Sequence, residues 1–188
     1  MAEEKKRRGR RAHLNDFYRD VSGNYIYTGT CYVCTAAPQE RTALLRRLWL
    51  LAAVMVVSVV TGGCISAPGM DRCFYVLLPY AAEVGLTGSV VWAMTRWQAR
   101  EYPMREYVYK ATVQALPGRC LAEAILAGAG IAAESVYLLL SGSGGRGAMA
   151  AVYLLLKAVS LAAALSARHL VRRSVWEPVG KNGEMTAE

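Results

Sequence analysis

The chain carries little charge for its size. Of its 188 residues only 19% are charged and 54% are apolar, and the mean hydropathy is +0.21. Soluble domains carry about 25% charged and about 45–50% apolar residues. The composition therefore argues against a water-soluble globule and favours a protein of the lipid bilayer.

The sequence also lacks the marks of several other protein classes. With five cysteines and no collagen repeat, it is neither a disulfide-dense scaffold nor a fibrous chain, and it is too apolar for a disordered one. It contains no Walker loop, H-E-x-x-H, G-x-S-x-G or dinucleotide-binding motif. The glycine-rich run at 141–147 has no strand before it and is typical of a linker between helices. We expect neither an enzymatic activity nor a cofactor.

The excess of positive charge does not indicate a nucleic-acid partner. The net charge of +8 comes from 22 Lys and Arg against 14 Asp and Glu, and the N-terminal residues 1–15 are strongly basic. No aromatic platform, zinc finger or helix-turn-helix pattern is interleaved with these cations, as nucleic-acid binding would require. We expect a basic disordered tail that lies on the anionic lipids of the inner leaflet.

Four long apolar stretches are the main feature of the sequence. They lie at 48–65, 74–95, 121–140 and 148–170, and each approaches the roughly 20 residues that a helix needs to cross a bilayer. Barrel strands are much shorter, so these stretches predict helices. We predict an all-α membrane protein, a four-helix transmembrane bundle over residues 48–173.

The distribution of Lys and Arg predicts the orientation. Nineteen of the 22 lie before the first stretch, between the second and third, or at the C-terminal end, where Arg168 lies two residues before the fourth stretch ends. Only Arg72 and Arg146 lie in the other two connections, and Lys157 lies deep within a stretch. Cationic residues accumulate on the cytoplasmic side of a membrane protein. We therefore expect both termini to be cytoplasmic, most simply at the plasma membrane.

The cytoplasmic segment 16–47 has a short aromatic and β-branched part. Within residues 16–34, Tyr25, Tyr27 and the run from Cys31 are interrupted by glycines, which predicts a small β-hairpin. Residues 25–30 are echoed by residues 107–112, so a tandem repeat of a cytoplasmic segment and a helical pair is one interpretation. The other interpretation is that the two segments look alike because tyrosine is common at membrane interfaces. Residues 174–188 form a cytoplasmic tail.

Apart from Arg168 and His169 at the end of the fourth stretch, four residues with charged side chains fall inside the apolar stretches: Glu83, Glu123, Glu134 and Lys157. Each costs at least about 2.5–3.5 kcal/mol at the membrane centre unless a partner compensates it. At helical rise, Glu83 and Lys157 lie at the same depth near the midplane, and Glu134 lies nearer the outer surface. Glu123 is close enough to the cytoplasmic boundary for its carboxylate to reach water.

Helical spacing places these residues on polar stripes. The third stretch carries Glu123, Ala127, Gly130, Glu134, Tyr137 and Ser141 on one face; the second carries Tyr80, Glu83 and Thr87; the fourth carries Tyr153, Lys157, Ser160 and Ala164. Small and polar faces belong at contacts between membrane helices. We expect Glu83, Lys157 and Glu134 to share a cavity inside the bundle.

Two interpretations of that cavity remain open. Glu83 and Lys157 form a buried ion pair that only fixes how the helices pack, or two carboxylates and one lysine couple the protein to protons or cations. The first agrees with a non-enzymatic accessory subunit of a larger membrane assembly, whose partners are membrane proteins or further copies of the chain. The second predicts a small transporter or channel.

The five cysteines divide between the two predicted sides. Cys64 and Cys73 flank the first outer turn, where an oxidising compartment would allow a disulfide. Cys31, Cys34 and Cys120 face the cytoplasm, with zinc-ligand spacing between the first two. A single C-x-x-C without a second pair is a weak signal, so ordinary reduced thiols are the simpler interpretation.

Overall fold

The described residues form four long helices and a small three-stranded sheet. A computed structural model describes residues 17–19, 23, 25–27, 29–99 and 102–179. The long helices are α1 (Pro38–Cys64), α2 (Phe74–Gln98), α4 (Leu116–Ser141) and α5 (Gly147–Arg173), and a single short helix, α3 (Glu106–Ala111), precedes α4. All four long helices are apolar enough to cross a membrane, as predicted.

The helices extend beyond the apolar stretches by which they were predicted. α1 begins at Pro38 and α4 at Leu116, rather than at residues 48 and 121. In both cases a proline occupies the first turn, where its fixed φ suits a helix start and its missing N–H costs nothing. Hydropathy detects only the apolar part of a helix, so these more polar first turns were not predicted.

The long helices pack as a ring in which each contacts two neighbours. α1 packs against α2 and α5, and α4 packs against α2 and α5. Short connections at 65–73 and 142–146 join the helices into antiparallel pairs, which gives the simplest up-and-down bundle. In the second connection Gly142 has a φ of 70° and ends α4 with a hydrogen bond to the Leu138 carbonyl. α2 and α5 therefore face each other diagonally across the bundle axis.

Five short strands lie at or beyond one end of the bundle. β1 (Phe17–Arg19) and β2 (Tyr25–Tyr27) form an antiparallel pair, as the predicted hairpin requires. β3 (Cys31–Cys34) was predicted as part of that hairpin, which is wrong. It is the central strand of a second sheet, between β4 (Met104–Arg105) and β5 (Trp176–Val179). Three segments remote in the sequence meet there, so local periodicity could not identify the pairing.

Aromatic side chains attach this second sheet to the bundle. Tyr32 stacks on Tyr109 with ring centroids 4.2 Å apart, and Trp176 packs edge-on against Trp97 of α2 at 5.8 Å. The Tyr102 hydroxyl donates a 2.9 Å hydrogen bond to the Cys34 carbonyl. We call this the sheet end of the bundle, and the opposite end, with the connections 65–73 and 142–146, the turn end.

The two echoed segments differ in conformation. Residues 25–27 are a strand, whereas 106–111 are helical, so the resemblance of the tyrosines does not extend to the local fold. The basic residues 1–15 and residues 180–188 lie outside the described part of the chain.

Candidate functional site: a buried polar column

An ion pair between Lys157 and Glu83 lies at the centre of the bundle. The Lys157 ammonium donates to Glu83 Oε2, and the side chains are 3% and 0% exposed. Lys157 is on α5 and Glu83 on α2, so their contact crosses the bundle axis. The structure therefore brings together the two residues that were expected at the same depth.

Aromatic and hydroxyl groups complete the surroundings of this pair. The Lys157 ammonium lies 4.7 Å from the ring centre of Tyr80 and 5.2 Å from that of Tyr153, both within the range of cation–π attraction. Ser160 donates a 3.1 Å hydrogen bond to the other Glu83 oxygen, Oε1. The buried charges are thus partly solvated by protein groups in place of water.

Glu123 lies inside the bundle rather than at its boundary. The Thr87 hydroxyl donates a 2.5 Å hydrogen bond to Glu123 Oε1, and Glu123 has no exposed surface. The expectation that this carboxylate reaches water is wrong. α4 begins earlier than predicted, so Glu123 is two turns inside the helix on the stripe that faces α2, and its partner Thr87 is one turn from Glu83.

Glu134 lies on the same face of α4, nearer the turn end. Its Oε1 accepts a 3.3 Å hydrogen bond from the Gly69 amide, in the connection between α1 and α2. A Cβ on Gly69 would overlap the Glu134 carboxyl group, so the glycine permits this close approach. No described contact joins Glu134 directly to Glu83 or Lys157, and the shared cavity predicted for the three is divided into successive sites along the axis.

These groups form one line through the bundle, which we call the polar column. From the turn end it runs through Glu134, the Tyr153 hydroxyl, the Lys157–Glu83 pair with Ser160, and the Thr87–Glu123 pair. Three polar atoms in it have no hydrogen-bond partner among the described residues: Glu134 Oε2, Tyr153 Oη and Glu123 Oε2. The column therefore holds three carboxyl groups, one ammonium group and unused hydrogen-bonding capacity at both ends.

Comparison with known proteins gives no further information about this site. The chain matches no protein-family model, no curated protein and no solved structure.

The cysteines do not form a site within the described part of the chain. Cys64 and Cys73 are free thiols, so the disulfide considered between them is not formed in the structure. Cys31 and Cys34 are three positions apart on β3, which places their side chains on opposite faces of the sheet. Cys34 and Cys120 are buried, and no group of three His, Cys, Asp or Glu within the described ranges is arranged to hold a metal ion.

The sequence predicted the side chains of the column better than their partners. Helical spacing selected Tyr80, Glu83, Thr87, Tyr153 and Ser160, and each now contacts or neighbours the column. The backbone donor Gly69 was missed, because a main-chain amide in a connection leaves no trace in a periodicity. The one feature of the sequence that could have indicated this contact was the glycine itself, in the short connection before α2.

Proposed function

We propose that this chain is a small integral membrane protein in which the polar column takes up and releases protons as part of transport. The observation that carries the proposal is the excess of carboxyl groups over cations inside the bundle. Lys157 balances Glu83, whereas among the described residues Glu123 and Glu134 accept hydrogen bonds only from a hydroxyl and an amide donor.

The energetics of burial support a proton at these two carboxyl groups. An unpaired carboxylate in a low-dielectric interior is costly, and binding a proton removes that cost. Each has one oxygen without a hydrogen-bond partner in the described structure, where a proton can reside. Divalent cations would require about six or more oxygen ligands, whereas the partners of these carboxyl groups in the structure are hydrogen-bond donors.

The arrangement along the axis supports transfer between the sites. Tyr153 lies one turn from Lys157 on α5, its ring centre is 5.2 Å from the Lys157 ammonium, and its buried hydroxyl has no hydrogen-bond partner among the described residues. A hydroxyl group can accept and donate a proton at once, so it suits a relay position between carboxyl groups. Chains of Asp, Glu and His side chains inside the membrane serve as proton relays in pumps and transporters.

We further propose that the sheet end is cytoplasmic and that the bundle lies in the plasma membrane. Lys and Arg favour the cytoplasmic side, and the sheet end carries the connections in which they are concentrated. Large apolar side chains cover the outside of the helices, with Leu139 85% and Trp92 65% exposed, as lipid contact requires.

Impermeant thiol reagents should label cysteines introduced at Ser66 or Ser143 in intact cells, and not at Thr42 or Ser174. Labelling at Ser174 would overturn the orientation.

The transport proposal is tested in proteoliposomes that contain a pH-sensitive dye. A potassium diffusion potential drives protons inward, and we expect the wild-type protein to conduct more than empty vesicles. Glu134→Gln should reduce this flux, because an amide cannot take part in proton transfer. Glu106→Gln is the matched control, since Glu106 lies on α3 outside the bundle and pairs with the exposed Lys110. A wild-type flux equal to that of empty vesicles would contradict a self-contained proton pathway.

An accessory subunit is the second candidate. It is favoured by the observation that each of the four ionisable side chains has at least one protein partner, as a purely structural polar core requires. Its partners would be other membrane proteins or further copies of the chain. Purification from native membranes in mild detergent separates the two candidates: a stoichiometric second protein supports the accessory role, and a chain that purifies alone opposes it.

A further inference from the structure

A groove of about 620 Å³ lies on the outside of the bundle between α1 and α5. Its walls are mostly apolar and include Leu50, Leu51, Leu165 and Leu170. The lining also contains Ser166, and Arg47 and His169 lie in it nearer the sheet end than Leu50, Leu51 and Leu165. The volume falls within the range of roughly 300–1,000 Å³ that is usual for small-molecule sites.

The polar lining continues into a basic surface. Arg46 precedes Arg47 on α1, and Arg172 and Arg173 are in the last turn of α5; all four side chains are exposed. Arg47 and His169 stand at the boundary between the apolar and basic parts of their helices. The groove thus joins an apolar channel to a positive rim at the level where lipid headgroups meet hydrocarbon.

We propose that this groove binds an anionic phospholipid, with its headgroup at Arg47 and His169 and an acyl chain along the leucines. Basic pockets between membrane helices on the cytoplasmic side recognise such headgroups. The guanidinium group of Arg47 offers a planar pair of donors that matches phosphate oxygens. The lipid site is separate from the polar column and does not depend on its function.

Charge complementarity favours a lipid over a second copy of the chain in this groove. A twofold dimer through the same face would bring the two basic rims together, and like charges at an interface oppose association. An anionic headgroup neutralises the same rim.

The proposal is tested by native mass spectrometry of the protein released from an equal mixture of phosphatidylglycerol and phosphatidylcholine with identical acyl chains. We expect wild-type protein to retain phosphatidylglycerol in excess. Arg47→Gln should reduce this preference about fivefold, the effect of one interfacial cation. Leu165→Trp, which fills the apolar part, should reduce the retention of both lipids. Added inorganic phosphate should not displace the bound lipid.

Arg96→Gln is the matched control. Arg96 is near the same end on α2 and does not line the groove, so its substitution should leave the lipid preference unchanged. An equal loss in Arg96→Gln and Arg47→Gln would show only diffuse surface charge and overturn the site. An unchanged preference in Arg47→Gln, or lipid-free dimers of the wild-type protein, would overturn it as well. The thermal midpoint of each variant checks that the protein is folded. We expect it to stay near the wild-type value, because the replaced side chains are not in the core.

Discussion

The sheet end and the polar column hold the molecule together in different ways. At the sheet end, backbone hydrogen bonds and aromatic packing join three remote segments, and the contacts are distributed over many groups. In the column, single charged side chains meet across the bundle axis, far from water. Distributed contacts tolerate the loss of one member, whereas a buried ion pair leaves an uncompensated charge when one partner is removed. Stability should therefore depend more steeply on single residues in the column.

The largest effect is expected from breaking the ion pair. Glu83→Gln or Lys157→Met alone should lower the free energy of unfolding in detergent by about 3–5 kcal/mol, because the remaining charge is buried and unpaired. The double variant should recover much of that loss. The exposed pair Arg146–Asp71 is the control. The same double-mutant cycle applied to this pair should give a coupling free energy below about 1 kcal/mol. Additive losses at Glu83 and Lys157 would contradict their contact.

At the sheet end, removal of one large aromatic group should cost less. Trp176→Ala should destabilise the protein by about 2 kcal/mol, below the usual cost for a fully buried tryptophan, because Trp176 is only half-buried. Trp92→Ala is a matched control, since Trp92 is exposed on the helix surface and its loss should have little effect in detergent. A loss at Trp176 as large as that at Lys157 would remove the contrast between the two regions.

Within the column, the carboxyl groups without a cation should behave unlike Glu83. Glu134→Gln should change the free energy of unfolding by less than about 1 kcal/mol, because the amide oxygen still accepts from Gly69 and no cation is left unpaired. Glu134→Ala should cost about 1–3 kcal/mol, since the Gly69 amide then has no partner. Thermal unfolding in detergent measures both. If Glu134→Gln were as harmful as Glu83→Gln, Glu134 would be a structural charge.

The smallest effect concerns thiol reactivity in the sheet. Burial raises the pKa of Cys31, and Arg105, its register partner on β4, lowers it in part. A raised pKa keeps the thiol protonated to higher pH, so alkylation of Cys31 should accelerate at higher pH than that of a free thiol peptide. Arg105→Gln should move the profile further upward. Mass spectrometry of the Cys31 peptide after timed alkylation measures the rate at each pH. A shift of the Arg105→Gln profile to lower pH would contradict the proposed effect of Arg105.

The sequence predicted the features that depend on helical periodicity, namely the long helices and the faces that they bury. The apolar stretches located the four helices, and the spacing of Glu83, Thr87, Lys157 and Ser160 predicted faces that the structure buries. Glu123 was assigned to the boundary because the start of its helix was placed too late, and depth was counted from that start. The error shows that depth estimates depend on helix ends, which hydropathy defines poorly.

The sheet was beyond prediction for a different reason. β4 has two residues and β5 contains Pro178, so neither has the alternating pattern of a typical strand. Their pairing with β3 arises because the bundle brings residues 104–105 and 176–179 to the same end. Such strands are a product of the tertiary structure rather than of local preference.

The pairing of β3 with β5 has a consequence for synthesis. β3 precedes all four long helices and β5 follows them, so β3 leaves the ribosome first and finds this partner only after all four helices have been synthesised. In the proposed membrane topology, failure of one helix to insert would make the number of crossings odd and would place the two strands on opposite sides of the bilayer. The β3–β5 pair can then form in a chain that crosses four times and not in one that crosses three times, so an unpaired β3 would distinguish the second from the first.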